Sequence, residues 1–307
     1  MRDPKRVTLN DVAAASGVSR ATASFVLRDS PNQSISAATR ERVREAARDL
    51  GYVPHAIARA LREGSSRIVV LSLDVALDGN YARSYVRGLD AELAMHDHAL
   101  LVRYEHAGTE ATLDAIAPRA VLRFGEPYLT GHELDDSGGG WRDGLAAHVT
   151  AQLGYLAGRG HTRIAYALPD PETPLRAVRL RFADRSAEML GLSPVAPFSL
   201  PAFRTGATDS LARFRAASPA VTAVAAFDDD VALRVLAAMR DLGLTAPGDL
   251  AVIGFDDNGY GALATPALTT VHIDAEAHGR LAARAILGLD AGDLSAAPGR
   301  VVVRESA

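Results

Sequence analysis

The chain has no cysteine in its 307 residues, which excludes disulfide bonds, cysteine-bound zinc and thiol nucleophiles. It also has no run of eighteen apolar residues, so we expect no membrane-spanning helix. Residues 1–6 are polar and lead into a helix signal rather than an apolar secretion signal, and we therefore predict a cytoplasmic protein. With 48% hydrophobic and 23% charged residues, the composition is that of a globular protein with two or three domains.

Motifs that mark enzymes are missing as well. None of the HExxH, P-loop, GxSxG or GxGxxG patterns occurs in its expected context. The glycines at 138–140 have no strand before them and no Lys-Ser/Thr after them, which favours a flexible loop over a phosphate cradle. His96 and His98 stand two residues apart in a predicted loop, which suits a solvated turn better than a metal site. We predict no enzymatic activity, no metal and no cofactor.

The net charge of −4 hides an uneven distribution along the chain. Residues 1–63 hold eleven Arg and Lys against seven Asp and Glu, a net charge of +4, and the rest of the chain carries −8. Lys5 is the only lysine, which we interpret mainly as a compositional bias toward arginine. A basic N-terminal segment before an acidic remainder predicts that nucleic acid binds at the N-terminus.

Helix signals follow each other closely in this basic segment. Thr8 stands three residues before Asp11, a capping pattern that predicts a first helix from Leu9 to Ser16 with Val12 buried. Gly17 permits a tight turn, and Ser19 can cap a second helix. The inward stripe of the second helix is predicted to hold Val18, Ala23, Val26 and Leu27. Its outward face is predicted to hold Arg20, Ala21, Thr22, Ser24 and Phe25. A helix with this polar face is the kind that enters a DNA major groove.

A third helix is predicted to begin after Ser36, to run through residues 39–50 and to end at Gly51. Three helices in fifty residues predict a small helix-turn-helix bundle. Pro54 then begins a segment, residues 55–62, that is too short to be a stable helix by itself.

From residue 67 the pattern changes to alternating strands and helices, which predicts parallel sheets covered on both faces. The predicted strands are residues 68–73, 99–104, 120–124, 163–168, 198–200, 220–227 and 250–255. The predicted helices are residues 81–95, 110–116, 151–157, 175–190, 208–217 and 230–241.

Four N-terminal segments resemble the headpiece and hinge of the LacI/GalR transcriptional repressors. They are residues 7–13 (VTLNDVA), 17–19 (GVS), 39–43 (TRERV) and 50–61 (LGYVPHAIARAL). The resemblance implies a DNA-binding domain at 1–50 and a hinge helix with its linker at 51–66.

In the family, hinge helices of two subunits form on DNA and insert a leucine into the minor groove, which implies that role for Leu61 with Ala58 on the same face. The alternative is a flexible linker whose leucine packs on the protein. The residues implied to contact DNA are Thr8, Ser19, Arg20, Ala21, Thr22, Ser24, Phe25, Arg28, Ala58 and Leu61.

The rest of the chain resembles the core of the same family. The matching segments are residues 160–165 (GHTRIA), 223–233 (AVAAFDDDVAL), 247–257 (PGDLAVIGFDD) and 266–271 (PALTTV). The implied fold is a small all-α headpiece followed by an α/β core at 67–307. That core has two doubly wound parallel-sheet subdomains, like type I periplasmic binding proteins. The N-subdomain is assigned residues 67–160 and 274–290, and the C-subdomain residues 161–273 and 291–307. Between Tyr104 and Arg159 the N-subdomain looks abbreviated, with a loop at 137–141.

The core resemblance also implies a ligand site at strand ends. Arg181 matches the ligand arginine of the family, although Asp184 stands where glycine is usual, and Asp228 and Asp256 match polar ligand contacts. Both aspartates follow apolar strands, where helix capping is the alternative explanation. The aromatic residues available to cover a ligand are Phe227, Phe255, Tyr81 and Trp141.

These observations predict a nucleoid-associated repressor controlled by a small polar ligand such as a sugar. One recognition helix reads only a few base pairs, so a palindromic operator must be bound by a homodimer or a tetramer. The alternatives are a sugar-binding module without DNA activity and a repressor that has lost ligand control.

Overall fold

The computed structural model describes residues 7–27, 34–52, 66–73, 79–104, 113–114, 116–124, 144–170, 172, 174–296 and 299–307. Contacts between residues divide the chain into two units, Met1–Ser66 and Arg67–Ala307. We call the first unit the headpiece and the second the core unit. Within the described ranges, no helix has both the length and the apolar character needed to cross a bilayer.

The headpiece contains three helices whose ends follow local capping signals. They are α1 (Leu9–Ser16), α2 (Arg20–Leu27) and α3 (Ala37–Asp49). Thr8 and Asp11 form the predicted capping box at the start of α1, and Ser36 caps α3. Gly17 and Gly51 have φ of 65° and 63°, so both turns use a left-handed conformation that glycine adopts without strain. The helix predictions for this segment are confirmed.

A small apolar core holds the three helices together. Val12, Ala23, Val26 and Val43 are fully or almost fully buried between them. Val18 and Leu27 pack against the same cluster, as the inward stripe of the second helix predicts. Arg42 adds a polar contact, because its Nε donates to the Ser16 carbonyl oxygen at 2.9 Å at the end of α1.

The first sheet of the core unit is parallel, with strand order β2-β1-β3. Its strands are β1 (Ile68–Leu73), β2 (Ala99–Tyr104) and β3 (Ala120–Arg123). Helix α4 (Asn80–Met95) packs on this sheet together with α9 (Glu276–Leu287), which comes from near the end of the chain. We call this group the first subdomain.

The second sheet is also parallel, with strand order β5-β4-β6-β7. Its strands are β4 (Ile164–Pro169), β5 (Ala196–Leu200), β6 (Ala223–Ala226) and β7 (Ala251–Ile253). Its helices are α5 (Leu145–Gly158), α6 (Pro174–Met189), α7 (Arg204–Ala217) and α8 (Asp229–Asp241). A short antiparallel pair, β8 (Thr270–His272) and β9 (Arg300–Val302), lies beside it. We call this group the second subdomain.

The structure differs from the predicted elements in where helices begin, in shorter strands β6 and β7, and in α9, β8 and β9, which were not predicted as elements. Helix α5 starts at Leu145 rather than 151, because Ala146 and Val149 continue the buried stripe of Leu153 and Leu156. Its apolar side packs in the core of the second subdomain, although residues up to 160 were assigned to the first. The loop expected at 137–141 and most of the helix expected at 110–116 lie outside the described residues.

Helices α4 and α9 cross closely through two glycines. A Cβ atom on Gly279 would lie 2.1 Å from the Tyr85 carbonyl oxygen, and one on Gly88 would lie 2.0 Å from that of Glu276. Glu92 of α4 is buried beside this crossing, where its carboxylate accepts from Arg284 of α9 at 2.6 Å. The Arg284 hydrogen bond outweighs burial and lowers the pKa of Glu92.

Candidate functional site

The start of α2 carries the side chains that the sequence assigned to DNA contact. The Ser19 hydroxyl accepts the Thr22 backbone N–H at 3.0 Å and lies 2.9 Å from the Thr22 hydroxyl. Arg20 and Ala21 are exposed immediately after this cap. Because Ser19, Arg20 and Ala21 are all exposed, the positive end of α2 and the Arg20 side chain lie on the same surface.

The other predicted DNA contacts divide into three groups. Thr22, Ser24 and Phe25 are half-buried on α2. Thr8 is exposed at the N-cap of α1, where its hydroxyl donates to Asp11 Oδ2 at 2.7 Å. Arg28, Ala58 and Leu61 lie outside the described residues.

In the core unit, Asp228 and Asp229 follow β6 and begin α8. Asp228 is the N-cap, because its carboxylate accepts the Val231 backbone N–H at 2.8 Å. The structural role that the sequence left open for this residue is therefore present. Burial raises the pKa of Asp228, which makes the charged form costly without a further partner.

Asp229 fixes the loop that follows β7. Its buried carboxylate accepts the backbone N–H groups of Phe255 at 2.8 Å and Asn258 at 2.9 Å, and it also accepts the Thr270 hydroxyl. Burial raises its pKa to about 6 despite these donors. The position of Asp256 within this loop therefore depends on a neighbouring residue that the sequence did not single out.

Asp256 connects the two subdomains. Its carboxylate accepts the Tyr81 backbone N–H at the start of α4, and its carbonyl oxygen accepts the Asn80 N–H at 2.9 Å. Its φ of 88° lies in the left-handed region, which is strained for a residue with a side chain. Burial raises its pKa to about 7. We call this contact region, where the β6 and β7 ends meet the α4 N-terminus, the subdomain junction.

The arginine at the subdomain junction is Arg179 rather than the predicted Arg181. Arg181 is exposed, whereas Arg179 is 3% exposed. The physical reason is helical spacing, since Arg179 stands three and four positions before the buried Phe182 and Ala183 and shares their face. Arg179 Nε donates to the Tyr166 hydroxyl at 3.2 Å. The spacing of Arg179 from Phe182 and Ala183 is the sequence signal that could have identified it as the buried arginine.

The predicted aromatic residues contact Arg179 or line the junction. The Arg179 guanidinium carbon lies 3.6 Å from the Phe255 ring centroid and 4.9 Å from that of Phe227. The buried Phe255 therefore presents one ring face to the arginine, and its role in covering a ligand stays a prediction. Tyr81 lies 5.9 Å from Phe124, centroid to centroid. Trp141 lies outside the described residues.

Helix α5 contributes two buried polar residues that the sequence analysis missed. Gln152 Nε2 donates to the carbonyl oxygens of Ala226 at 2.8 Å and Gly254 at 2.9 Å, which joins the ends of β6 and β7. His148, one turn earlier, is also buried. Their spacing of four residues on an otherwise apolar helix is a signal that both face inward. Across the described ranges, no group of three or more His, Asp or Glu side chains is arranged to hold a metal ion.

Two family models match separate parts of the chain. One, described as "Bacterial regulatory proteins, lacI family", matches residues 8–55, and the other, described as "Periplasmic binding protein-like domain", matches residues 153–307. The HTH-type transcriptional regulator GntR of Pseudomonas aeruginosa is 30% identical over 319 aligned positions. That alignment covers 95% of this chain and 91% of the relative.

Solved structures show the same fold. The lac repressor dimer bound to operator and the anti-inducer ONPF matches with a TM-score of 0.73 at 20% identity, covering 98% of this chain and 99% of that one. The complex of the transcriptional regulator CelR with cellobiose matches with a TM-score of 0.60 at 23% identity, covering 98% and 100%. From the family models and the 30%-identical relative together, the chain belongs to the lacI family of bacterial transcriptional regulators.

Proposed function

We propose that the protein is a repressor that binds a palindromic operator as a homodimer in the cytoplasm and responds to a small polar ligand at the subdomain junction. The observation that carries this proposal is that one chain combines an exposed helix start in its headpiece with a buried charged site in its core unit. Its headpiece exposes Arg20 and Ala21 at the start of α2, and its core unit buries Arg179 beside two carboxylates. It acts by binding and not by catalysis, as its relative is a transcriptional regulator.

The DNA-binding part of the proposal rests on the geometry of the headpiece. Its helices are packed through one face, which leaves the capped start of α2 exposed. A single short helix contacts too few bases for useful specificity, so two headpieces must read one palindrome. The lac repressor structure that shares this fold is a dimer on operator DNA.

The ligand-binding part rests on charged groups with unused hydrogen-bonding capacity. Arg179, Asp228 and Asp256 come from α6, the end of β6 and the end of β7. Polar ligands bind outside the carboxyl ends of strands in open parallel sheets, which is where these aspartates lie. CelR, with the same fold, binds cellobiose. A ligand here changes DNA binding only if its affinity differs between two arrangements of the subdomains.

The test is selection of operator sequences from randomised duplex DNA with the full chain, followed by titration of the complex with candidate metabolites. We expect an inverted repeat bound roughly a thousandfold or more tighter than random DNA. A matched pair of variants, Arg179→Met and Arg181→Met, then locates the ligand. Only Arg179→Met should abolish the change in operator affinity that the metabolite causes.

Each failure has a distinct meaning. No enriched sequence would contradict the repressor function and leave a ligand-binding module without DNA activity. An inverted repeat whose affinity no metabolite changes would contradict ligand control. Equal loss of response in both arginine variants would place the ligand outside the junction.

A further inference from the structure

Three basic side chains of the core unit have buried nitrogen atoms without hydrogen-bond partners in the part of the chain that the structure describes. They are His148 of α5, Arg179 of α6 and His278 of α9. The charges of His278 and Arg179 both act on His148, so the three groups share one electrostatic environment. We call them the His-Arg-His cluster.

His148 is the most enclosed member of the cluster. Its side chain is 1% exposed, and neither Nδ1 nor Nε2 has a partner among the described residues. The ring meets Phe255 at a centroid distance of 6.5 Å, and the Gly299 backbone is so close that a Cβ there would lie 2.4 Å from His148 Cδ2. Buried polar atoms are rarely left without partners, so an imidazole placed this way indicates a binding role.

Arg179 strengthens this argument because its charge is permanent. A guanidinium stays protonated inside a protein, and buried charges are normally paired with an opposite charge. Arg179 makes its hydrogen bond to the neutral Tyr166 hydroxyl, while Nη2 has no partner in the described ranges. The nearby carboxylates of Asp228 and Asp256 act on Arg179 through their charge, but the hydrogen bonds they accept come from the Val231 and Tyr81 N–H groups.

The charges around His148 indicate which class of chemical group can bind to the cluster. Burial, together with the positive charges of His278 and Arg179, lowers the pKa of His148 to about 4. The cluster is therefore a buried site with unpartnered nitrogen atoms and a permanent positive charge, and Asp228 and Asp256 act on Arg179 through their charge but accept no hydrogen bond from it. An oxyanion complements the unpartnered nitrogen atoms, because two of its oxygens can accept from one guanidinium while imidazole N–H groups donate to the rest.

We infer that the His-Arg-His cluster binds the acid group, a carboxylate or a phosphate, of the effector. This inference rests on the proposed function and narrows its ligand class. Asp228 and Asp256 remain available to accept hydrogen bonds from hydroxyls at the same junction. The effector is accordingly a small polyhydroxylated acid, a sugar acid or a sugar phosphate, rather than a neutral sugar.

The first test uses simple probes on the full chain labelled with 15N-histidine. Acetate, inorganic phosphate, glucuronate, glucose 6-phosphate and glucose are added at constant ionic strength set with sodium chloride. Acid probes should move the imidazole resonances of His148 and His278, and glucose should not. The acetate and phosphate arms distinguish a carboxylate site from a phosphate site. If neither acid moves either histidine beyond the chloride control, the inference is wrong.

The second test measures affinity by calorimetry for the acid probe that binds best. His148→Leu and His278→Leu each remove imidazole nitrogens, and His98→Leu does the same at a half-buried position between α4 and β2. Loss of a charge-assisted hydrogen bond should weaken the acid by about tenfold or more in the first two variants and leave the third unchanged. Equal affinity for the acid in all three variants would overturn the inference. If His148→Leu folds poorly, the affinity of His278→Leu for the acid still tests it.

Operator binding separates this inference from the proposed function. An acid that binds the cluster without changing operator affinity would contradict ligand control and uphold the site. A neutral sugar that releases the operator without moving either histidine would uphold ligand control and overturn the inference.

Discussion

The Asp256 carboxylate accepts the backbone N–H of Tyr81 from 175 positions away in the sequence. The contact depends on Gly79, because a Cβ atom at that position would lie 1.8 Å from Asp256 Oδ2. A carboxylate at the N-terminus of α4 is favoured by the helix dipole, so the end of β7 in the second subdomain holds the start of a helix in the first. Any ligand that engages Asp256 must compete with this contact or use it.

The first prediction concerns the pH dependence of stability. Burial raises the pKa of Asp256 to about 7 from its ordinary value of 3.8, so the folded state holds this proton more tightly than the unfolded chain does. The stabilising contribution of the protonated group is complete below about pH 4 and is lost as the pH rises through about 7. Asp256→Asn keeps an oxygen that can accept the Tyr81 N–H. As the pH rises from about 4 to about 7, the free energy of unfolding of Asp256→Asn should therefore fall less than that of the wild type.

Urea denaturation followed by circular dichroism at several pH values measures this difference. Asp229, whose pKa is raised to about 6, contributes a slope of the same sign to both proteins, and its charge is one cause of the raised pKa of Asp256. Asp230→Asn is the control, since it removes an exposed carboxylate that pairs with Arg234 on the surface. Parallel pH profiles for wild type and Asp256→Asn would contradict the prediction.

The second prediction concerns the crossing of α4 and α9. Gly279→Ala places a Cβ 2.1 Å from the Tyr85 carbonyl oxygen and 2.6 Å from the Leu89 nitrogen, so the two backbones must separate. We expect a loss of about 1–3 kcal/mol in the free energy of unfolding. Gly158→Ala, at the end of α5 with open space around the added methyl, should be neutral or stabilising by up to about 1 kcal/mol. Equal stability of the two variants would mean that the helices are not in close contact.

The third prediction concerns base recognition by the headpiece. Arg20 is exposed at the start of α2, and a bidentate arginine on guanine is worth about 1–3 kcal/mol of discrimination. Arg20→Ala should relax the preference at one base pair of each half-site. Selection from randomised DNA measures this, with Arg48→Ala, an exposed arginine paired with Glu41 on α3, as the control. An unchanged motif in Arg20→Ala would assign specificity to other residues.

The fourth prediction concerns the hinge and rests on the family resemblance. If Leu61 inserts into the minor groove, it contributes only where the DNA is kinked, and unstacking a base step costs a few kcal/mol by itself. Leu61→Ala should then weaken operator binding strongly and spare phosphate-driven binding to random DNA. Gel-shift titrations on both DNAs at fixed salt provide the comparison. Equal losses on operator and random DNA would support the flexible-linker alternative.

Most elements were predictable because their signals are local. Capping pairs such as Thr8 with Asp11, and apolar spacings such as Ala23 and Val26 on α2, depend on neighbours within one turn. Strands β1 and β2 have the predicted limits, because short β-branched and leucine-rich runs bounded by polar residues identify strands. Only β1 is buried, since Leu101, Val102 and Tyr104 of β2 are exposed.

The candidate site was only partly predictable from the sequence. Asp228 and Asp256 could be found because they follow apolar strands, whose carboxyl ends meet at one edge of a parallel sheet. Arg181 was chosen over Arg179 because the motif match weighs residue type and order, whereas only the packed face of α6 shows which arginine is buried. The sequence alone did not reveal that His148 is enclosed, since histidine is common on surfaces and in cores.

The sequence by itself determined the three-helix headpiece, the alternation of strands and helices and the family, because each depends on short-range periodicity, caps or ordered motifs. The tertiary structure alone decided that Asp256 meets Tyr81 and that His148, Arg179 and His278 share one buried environment. The physical reason is that burial and charge coupling arise between segments that come together only when the sheets and helices pack, and no local pattern encodes which side chains meet there.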